Sequence, residues 1–383
     1  MNFSNCADML FAIDDSKGDD VPLLDDAHGA DMADSHDENF CLRNPEFGQH
    51  RRDRRTGGGC LHRSISVPDA REGFWTRLRA FLGPGMLVAV GYMDPGNWAT
   101  DLAAGSQYNY KLLSLVMISS LIAIFLQTLA LRLGIAGHLD LAQACRARLW
   151  RPVTFIMWIL AEIAIIANDL AEVIGSAIAL KLLFGLPMWG VACTSMDVLL
   201  LLALGIKNMR AIELLVVALT SVIARCFAFE LYLSKPDAWK VLQGTFIPPA
   251  ELLSDQKMVL ISVSTLGATV MPHTLYLHSS VVQSRDIPRG RQAVAHGIRM
   301  ATIDSTVAVL LASFVNGAIL MLAAATFFRS GNTDVATIDR AYLMLASILG
   351  KQTASNEFAV ALLASGQQST ITGTLAGMCV MTF

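Results

Sequence analysis

Two short stretches of this sequence bring together residue types that hold metal cations. The first is Asp94-Pro95-Gly96-Asn97, which offers an anionic oxygen at Asp94 and an amide oxygen at Asn97. The second is Gly267-Ala268-Thr269-Val270-Met271-Pro272-His273, which offers the Met271 thioether and, where the chain unwinds, a main-chain carbonyl near Ala268. Oxygen ligands alone suit magnesium or calcium, whereas a soft sulfur tilts preference toward first-row transition metals such as manganese and iron. A lone methionine in an apolar helix commonly serves packing. What raises Met271 above that reading is its place beside a proline.

Both stretches interrupt long apolar runs. Proline removes a backbone donor and clashes with the preceding turn, and glycine frees φ, so Pro95, Gly96 and Pro272 predict helix breaks, the first of them at Asp94-Pro95-Gly96-Asn97. Unwound backbone survives at membrane depth only where it is buried in protein or lines a cavity. An ionisable group such as Asp94 near the bilayer centre is functional by default. The plainer alternative is a proline kink in which Asp94 caps the second half-helix. Broken helices in corresponding positions of two halves point to a secondary transporter built from an inverted repeat. With five segments per repeat, the first and sixth correspond, and Asp94 and Met271 then face one central site.

A third apolar run contains Glu162, Asp169 and Glu172. Asp169 and Glu172 are three residues apart and share a helix face. Two intramembrane carboxylates can relay a proton, and His273 beside the metal-ligand candidates titrates in the useful range. The competing reading pairs these acids with Arg225, a rare arginine in the fifth apolar run. His278 either holds a tautomer or packs, and receives no role.

The elements that must position these groups are apolar segments of bilayer-spanning length, about 20 residues each. Of the 383 residues, 54% are hydrophobic and 16% charged, with a mean hydropathy of +0.48, which excludes an ordinary soluble domain. Residues 112–131 and 305–328 carry no charge, and further segments run over about 81–106, 153–180, 188–206, 211–233, 258–283 and 358–383, giving about eight helices. Arginines 51, 52, 54, 55, 77, 79, 146, 148, 151, 210, 285, 289, 291 and 299, with Lys207, fall before the first segment and after the second, fourth and sixth. That bias places the N-terminus in the cytoplasm.

Residues 1–72 hold 15 acidic and 8 basic residues and no sustained apolar run, the composition of a disordered cytoplasmic tail. Its His28 and His36 among aspartates read as solvated linker rather than as a metal-attracting segment. The net charge of −3 gives no basic excess for nucleic acid. The seven cysteines are never spaced as C-x-x-C, so neither a disulfide framework nor a thiolate zinc site is indicated. No G-x-S-x-G, H-E-x-x-H, phosphate loop or dinucleotide fingerprint is present, which argues against an enzyme and against a bound organic cofactor.

At these residues the chain resembles the Nramp family of proton-coupled divalent-metal transporters, most closely its bacterial manganese-uptake members. The likeness rests on Gly83-Pro84-Gly85 through Asn97, Asp169-Leu170-Ala171-Glu172-Val173-Ile174-Gly175, Met271-Pro272-His273 with Leu275-Tyr276-Leu277-His278-Ser279, and Gly366 through Thr374. It spans about residues 74 to 377. The resemblance implies an all-α polytopic membrane protein with a LeuT-like inverted repeat, the first repeat over about 81–233 and an incomplete second over about 258–383. It implies metal held by Asp94, Asn97, the Ala268 carbonyl and Met271, and proton movement associated with Asp169, Glu172 and His273.

Two departures stand out. Thr274 occupies a position where the family usually has asparagine, and the motif after Gly373 becomes Ala376-Gly377-Met378-Cys379-Val380-Met381-Thr382-Phe383. The expectation from that ending is a second repeat without its last two helices and without an eleventh. The reading is therefore proton-coupled import of Mn²⁺, with Fe²⁺ as a second substrate, through the cell membrane, the inner membrane if the source is bacterial. The alternative is a truncated, non-transporting relic or an accessory membrane subunit that keeps a partial metal site. The sequence sets no oligomeric state.

Overall fold

The computed structural model describes residues 65–67, 73–186, 209–288, 290–333, 338–349 and 352–381. The tail up to residue 64, with His28 and His36, and most of the expected fourth segment lie outside the described residues. In chain order the elements are β1 (Ile65–Ser66), α1 (Phe74–Phe81), α2 (Pro84–Ala89), a 3-10 turn (Val90–Tyr92), α3 (Pro95–Tyr108), α4 (Leu113–Gly137), α5 (Leu141–Arg148) and α6 (Arg151–Phe184). There follow α7 (Met209–Ser234), α8 (Ala238–Phe246), α9 (Gln256–Thr269), α10 (Pro272–Val281), β2 (Arg285–Asp286), α11 (Arg291–Ala323), α12 (Ile338–Leu349) and α13 (Gln352–Val380).

Among the described residues, Leu113–Gly137, Arg151–Phe184, Met209–Ser234, Gln256–Ser284 and Arg291–Phe328 are long and apolar enough to cross a membrane. The first apolar segment is the broken pair α2 and α3, and the eighth is the 29-residue α13. Hydropathy locates the part of a helix that meets lipid, not the whole helix. The seventh segment, expected from residue 305, accordingly begins at Arg291 and carries His296, Arg299 and Asp304 in its leading turns before ending in a π-turn at Ala324–Phe328.

The interior is organised around α11, which packs against α2, α3, α4 and α7, while α13 lies along α6 and α7. Trp98 of α3 is fully buried and meets Phe227 of α7 and Phe358 of α13 edge-on, with ring centroids 4.9 and 5.3 Å away. Two glycines let helices touch through their backbones. A Cβ at Gly105 would collide with the Leu320 carbonyl of α11, and one at Gly134 with the Ser279 carbonyl of α10. The outer face of α6 presents Phe155, Ile159, Ile163, Ile166 and Leu170, as a helix facing hydrocarbon must.

Two arginines counted as loop charges do structural work instead. Arg285 is buried and donates from Nη1 to Glu213 Oε1 at 2.7 Å, from Nε to the Ala80 carbonyl and from Nη2 to the Leu82 carbonyl. Arg210 donates to Glu213 Oε2 at 3.0 Å and to the Leu82 and Ala80 carbonyls. Asp304 accepts from the Gly85 amide at 2.7 Å. Together these groups cap the C-terminal carbonyls of α1 and anchor the start of α2. Within the segment expected to be tail, Ile65 and Ser66 pair in parallel with Arg285 and Asp286.

Candidate metal centre

The chain unwinds slightly earlier than the motif alone predicts. Pro95 occupies the first position of α3, where a missing N–H costs nothing, and Gly96 and Asn97 belong to its first turn. The non-helical stretch is therefore Met93 and Asp94, entered through the Val90–Tyr92 turn. Asp94 is the N-cap, with φ −74° and ψ 165°, so the capping role and the functional one coexist. Its Oδ1 accepts from the Asn97 backbone N–H and from Asn97 Nδ2, each at 2.8 Å. Its Oδ2 is buried without a partner.

The second break has the same construction. Helix α9 continues through Gly267 to Thr269, Val270 and Met271 leave the helix, and Pro272 begins α10 with Met271 as its N-cap in extended conformation. Leaving the helix frees the Ala268 carbonyl, which accepts from Asn97 Nδ2 at 3.2 Å. The Gly91 carbonyl lies 3.3 Å from the same nitrogen, and Thr269 Oγ1 reaches Asn97 Oδ1 at 3.5 Å. Met271 is buried beside this junction. Three oxygens, from Asp94, Gly91 and Ala268, thus surround one amide nitrogen that has two hydrogens to give. Oxygens in excess of donors around one point are what a cation uses.

On α6, Glu172 is buried and Asp169 half-buried. Glu172 Oε1 accepts from Asn168 at 2.5 Å, and Glu172 Oε2 and Asp169 Oδ1 have no partner. Both acids face α13 at Gly373, where a Cβ would lie 2.6 Å from Asp169 Oδ1 and 3.4 Å from Glu172 Oε2. The expected shared face is therefore present. The first break meets this helix directly, since Pro95 packs on α6 at Gly175, three residues beyond Glu172. His273 is buried in the first turn of α10, one residue beyond Pro272. Arg225 does not neutralise these acids: it is exposed on α7, whose partners are α13, α11 and α2, and it makes no ion pair among the described residues.

Sequence reasoning missed Tyr92 and Gln127. Gln127 Nε2 donates to the Tyr92 hydroxyl at 2.7 Å and to Thr274 Oγ1 at 3.1 Å, while its Oε1 lies 2.7 Å from His278 Nδ1. The signal was available, since Gln127 is the one amide side chain in the charge-free run 112–131. Among the described residues no three of His, Cys, Asp and Glu cluster as a metal site. The junction of the breaks has one carboxylate, Asp94, beside the Asn97 amide and the Ala268 carbonyl, with Met271 at the N-cap of α10.

The family model described as natural resistance-associated macrophage protein-like, Nramp, matches residues 85–382. The chain belongs to the Nramp family. It is 54% identical over 326 residues to the divalent metal cation transporter MntH of Xanthomonas campestris pv. campestris, covering 85% of this chain and 73% of that protein. Identity to the MntH of Mesorhizobium japonicum is 53% over 323 residues, covering 84% of this chain and 71% of the relative. The solved structure of the Eremococcus coleocola manganese transporter, in complex with an aromatic bis-isothiourea substituted compound, superposes with a TM-score of 0.77. Identity is 43%, over 84% of this chain and 68% of that one. For this Nramp chain the all-α, LeuT-like class expected from the sequence holds, with helices broken at α2/α3 and α9/α10. It is a multi-pass membrane protein of a family of metal transporters, not of enzymes.

Proposed function

We propose that this chain imports divalent transition-metal ions, Mn²⁺ and with it Fe²⁺, across the cell membrane together with protons. The observation that carries the reading is the set of oxygens from Asp94, Gly91 and Ala268 gathered around the Asn97 amide, with Asp94 Oδ2 unpartnered and Met271 at the adjoining break. Amide oxygen and nitrogen exchange places on a half-turn of the side chain. Turning Asn97 that way presents Oδ1 with Asp94, the Ala268 carbonyl and the Met271 thioether as the ligand set. A single carboxylate suits a site that must release its ion, and the sulfur favours Mn²⁺ and Fe²⁺ over Mg²⁺ and Ca²⁺.

Proton movement is assigned to Asp169, Glu172 and His273. Support for this comes from the two carboxylates on one face of α6, the unpartnered oxygen on each, and the packing of Pro95 beside them at Gly175. The repeats of about 81–233 and 258–383 rock around the broken helices, with the N-terminus in the cytoplasm and, in a bacterium, the inner membrane as the location.

The test is initial-rate Mn²⁺ uptake, at acid and at neutral pH, in import-deficient cells expressing this chain or its Asp94→Ala variant at equal membrane abundance. Uptake that is faster at acid pH and lost in the variant is expected. Uptake no faster than the variant's overturns the reading in favour of a non-transporting subunit.

A further inference from the structure

The interface between α3 and α9 carries a set of buried polar groups that the centre at the breaks does not use. On α3, Asn97, Asp101, Ala104 and Tyr108 follow one another at four-, three- and four-residue steps, which places them on one stripe. On α9, the buried face is Met258, Ser262, Thr265 and Thr269, again one stripe. The two stripes face each other at three levels. Thr269 reaches Asn97 at the inner end, Met258 packs in one cluster with Ala104 further along, and the Tyr108 hydroxyl donates to Asp255 Oδ2 at 3.0 Å at the far end. Asp101, Thr265 and Ser262 lie between the first and second of these levels.

These three residues are 1%, 2% and 8% exposed, and Asp101 Oδ2, Thr265 Oγ1 and Ser262 Oγ all have no hydrogen-bond partner. A buried polar group without a partner is costly, and three facing one interface call for a common ligand. Asp94 is the N-cap of α3 and Asp101 lies about two turns further on, so a cation drawn to one carboxylate is held in the field of both. Carboxylate and hydroxyl oxygens without sulfur form a hard donor set.

We propose that Asp101, with Thr265 and Ser262, forms a second cation site between α3 and α9, in which the divalent ion rests on the Tyr108 side of Asp94. In the orientation proposed above, that side is the outer one, so an incoming ion meets this site before the thioether of Met271. The inference rests on the transport reading and extends it. The outer position accepts hard and borderline divalent ions alike, and discrimination against Ca²⁺ and Mg²⁺ is applied at the second stop.

The experiment is equilibrium Mn²⁺ binding to the full chain in lipid nanodiscs, with free Mn²⁺ counted by its electron paramagnetic resonance signal. Wild type is expected to bind two ions, Asp94→Ala one and Asp101→Asn one. The ion left in Asp94→Ala is displaced equally by Ca²⁺, whereas the ion left in Asp101→Asn resists Ca²⁺. Thr265→Val, which keeps the charge and the side-chain shape, weakens the outer ion alone by about tenfold. A folded Asp94→Ala chain that binds no Mn²⁺, while wild type binds one, overturns the second site and leaves the proposed function standing. One ion kept in Asp94→Ala and lost in Asp101→Asn sustains the second site and refutes the assignment of Asp94. Wild type that binds no Mn²⁺ refutes both.

Discussion

Glu213→Ala tests how the start of the first broken helix is held. In the native chain the Glu213 and Arg285 side chains are 3% and 1% exposed, and the Arg210 side chain is 36% exposed. Glu213 takes three charge-assisted hydrogen bonds, from Arg285 Nη1 at 2.7 Å, Arg285 Nη2 at 3.2 Å and Arg210 Nη1 at 3.0 Å. Truncation leaves the Arg285 charge buried with only carbonyls and Ser284 Oγ to receive it. Removing one partner of a buried pair costs about 3–5 kcal/mol. At about 2–4 °C per kcal/mol, the melting midpoint should fall by about 6–20 °C. The assay is thermal unfolding of the detergent-solubilised chain followed by fluorescence-detected gel filtration. Glu213→Ala/Arg285→Ala removes both charges, so its loss should be smaller than the sum of the single losses by at least about 1 kcal/mol. A single-mutant loss under about 1 kcal/mol, or strict additivity, refutes the account.

Three further outcomes follow from the same geometry. Trp98→Ala opens a cavity between Phe227 and Phe358 and should cost about 3–5 kcal/mol, read as a lower unfolding midpoint with membrane insertion unchanged. Met271→Ala removes the sulfur and should let Ca²⁺ or Mg²⁺ compete with Mn²⁺ uptake; an unchanged competition profile refutes sulfur-based selectivity. Asp255, at the N-cap outside its span, is held below the usual carboxylate range, chiefly by the hydrogen bond from Tyr108. A depressed folded pKa adds stability that is present above the ordinary carboxylate pKa and lost as pH falls through the folded value. Tyr108→Phe should therefore lower the midpoint at neutral pH, and the gap from wild type should close in strong acid.

The two helix breaks are legible because their construction is local. Pro95 and Pro272 each mark a helix start, and the groups they free sit within a few residues: Asp94 and Asn97 at one, Ala268 and Met271 at the other. The shared face of Asp169 and Glu172 follows from helical spacing alone. Legibility ends where pairing crosses long stretches of chain. Arg285 and Glu213 are 72 residues apart, and hydropathy reads the arginine as a loop charge when it is an interior anchor. Gln127 meets His278 across 151 residues, and nothing in a single sequence selects that partner. The break lies at Met93–Asp94 rather than across Asp94–Asn97 because proline at the first position of a helix starts it instead of ending one.

The side-chain-free contacts at Gly105 and Gly134 bear on how such a bundle can move. Where α3 rests on the Leu320 carbonyl of α11, and α4 on the Ser279 carbonyl of α10, the glycine puts no side chain of its own between the two backbones. Such close backbone contact favours movement of each pair as one unit. In the transport reading proposed above, displacement of one half of the protein against the other falls at the joints at Met93–Asp94 and Val270–Met271, beside the proposed ion ligands. On that reading, opening a path for the ion and reshaping its coordination are a single mechanical event.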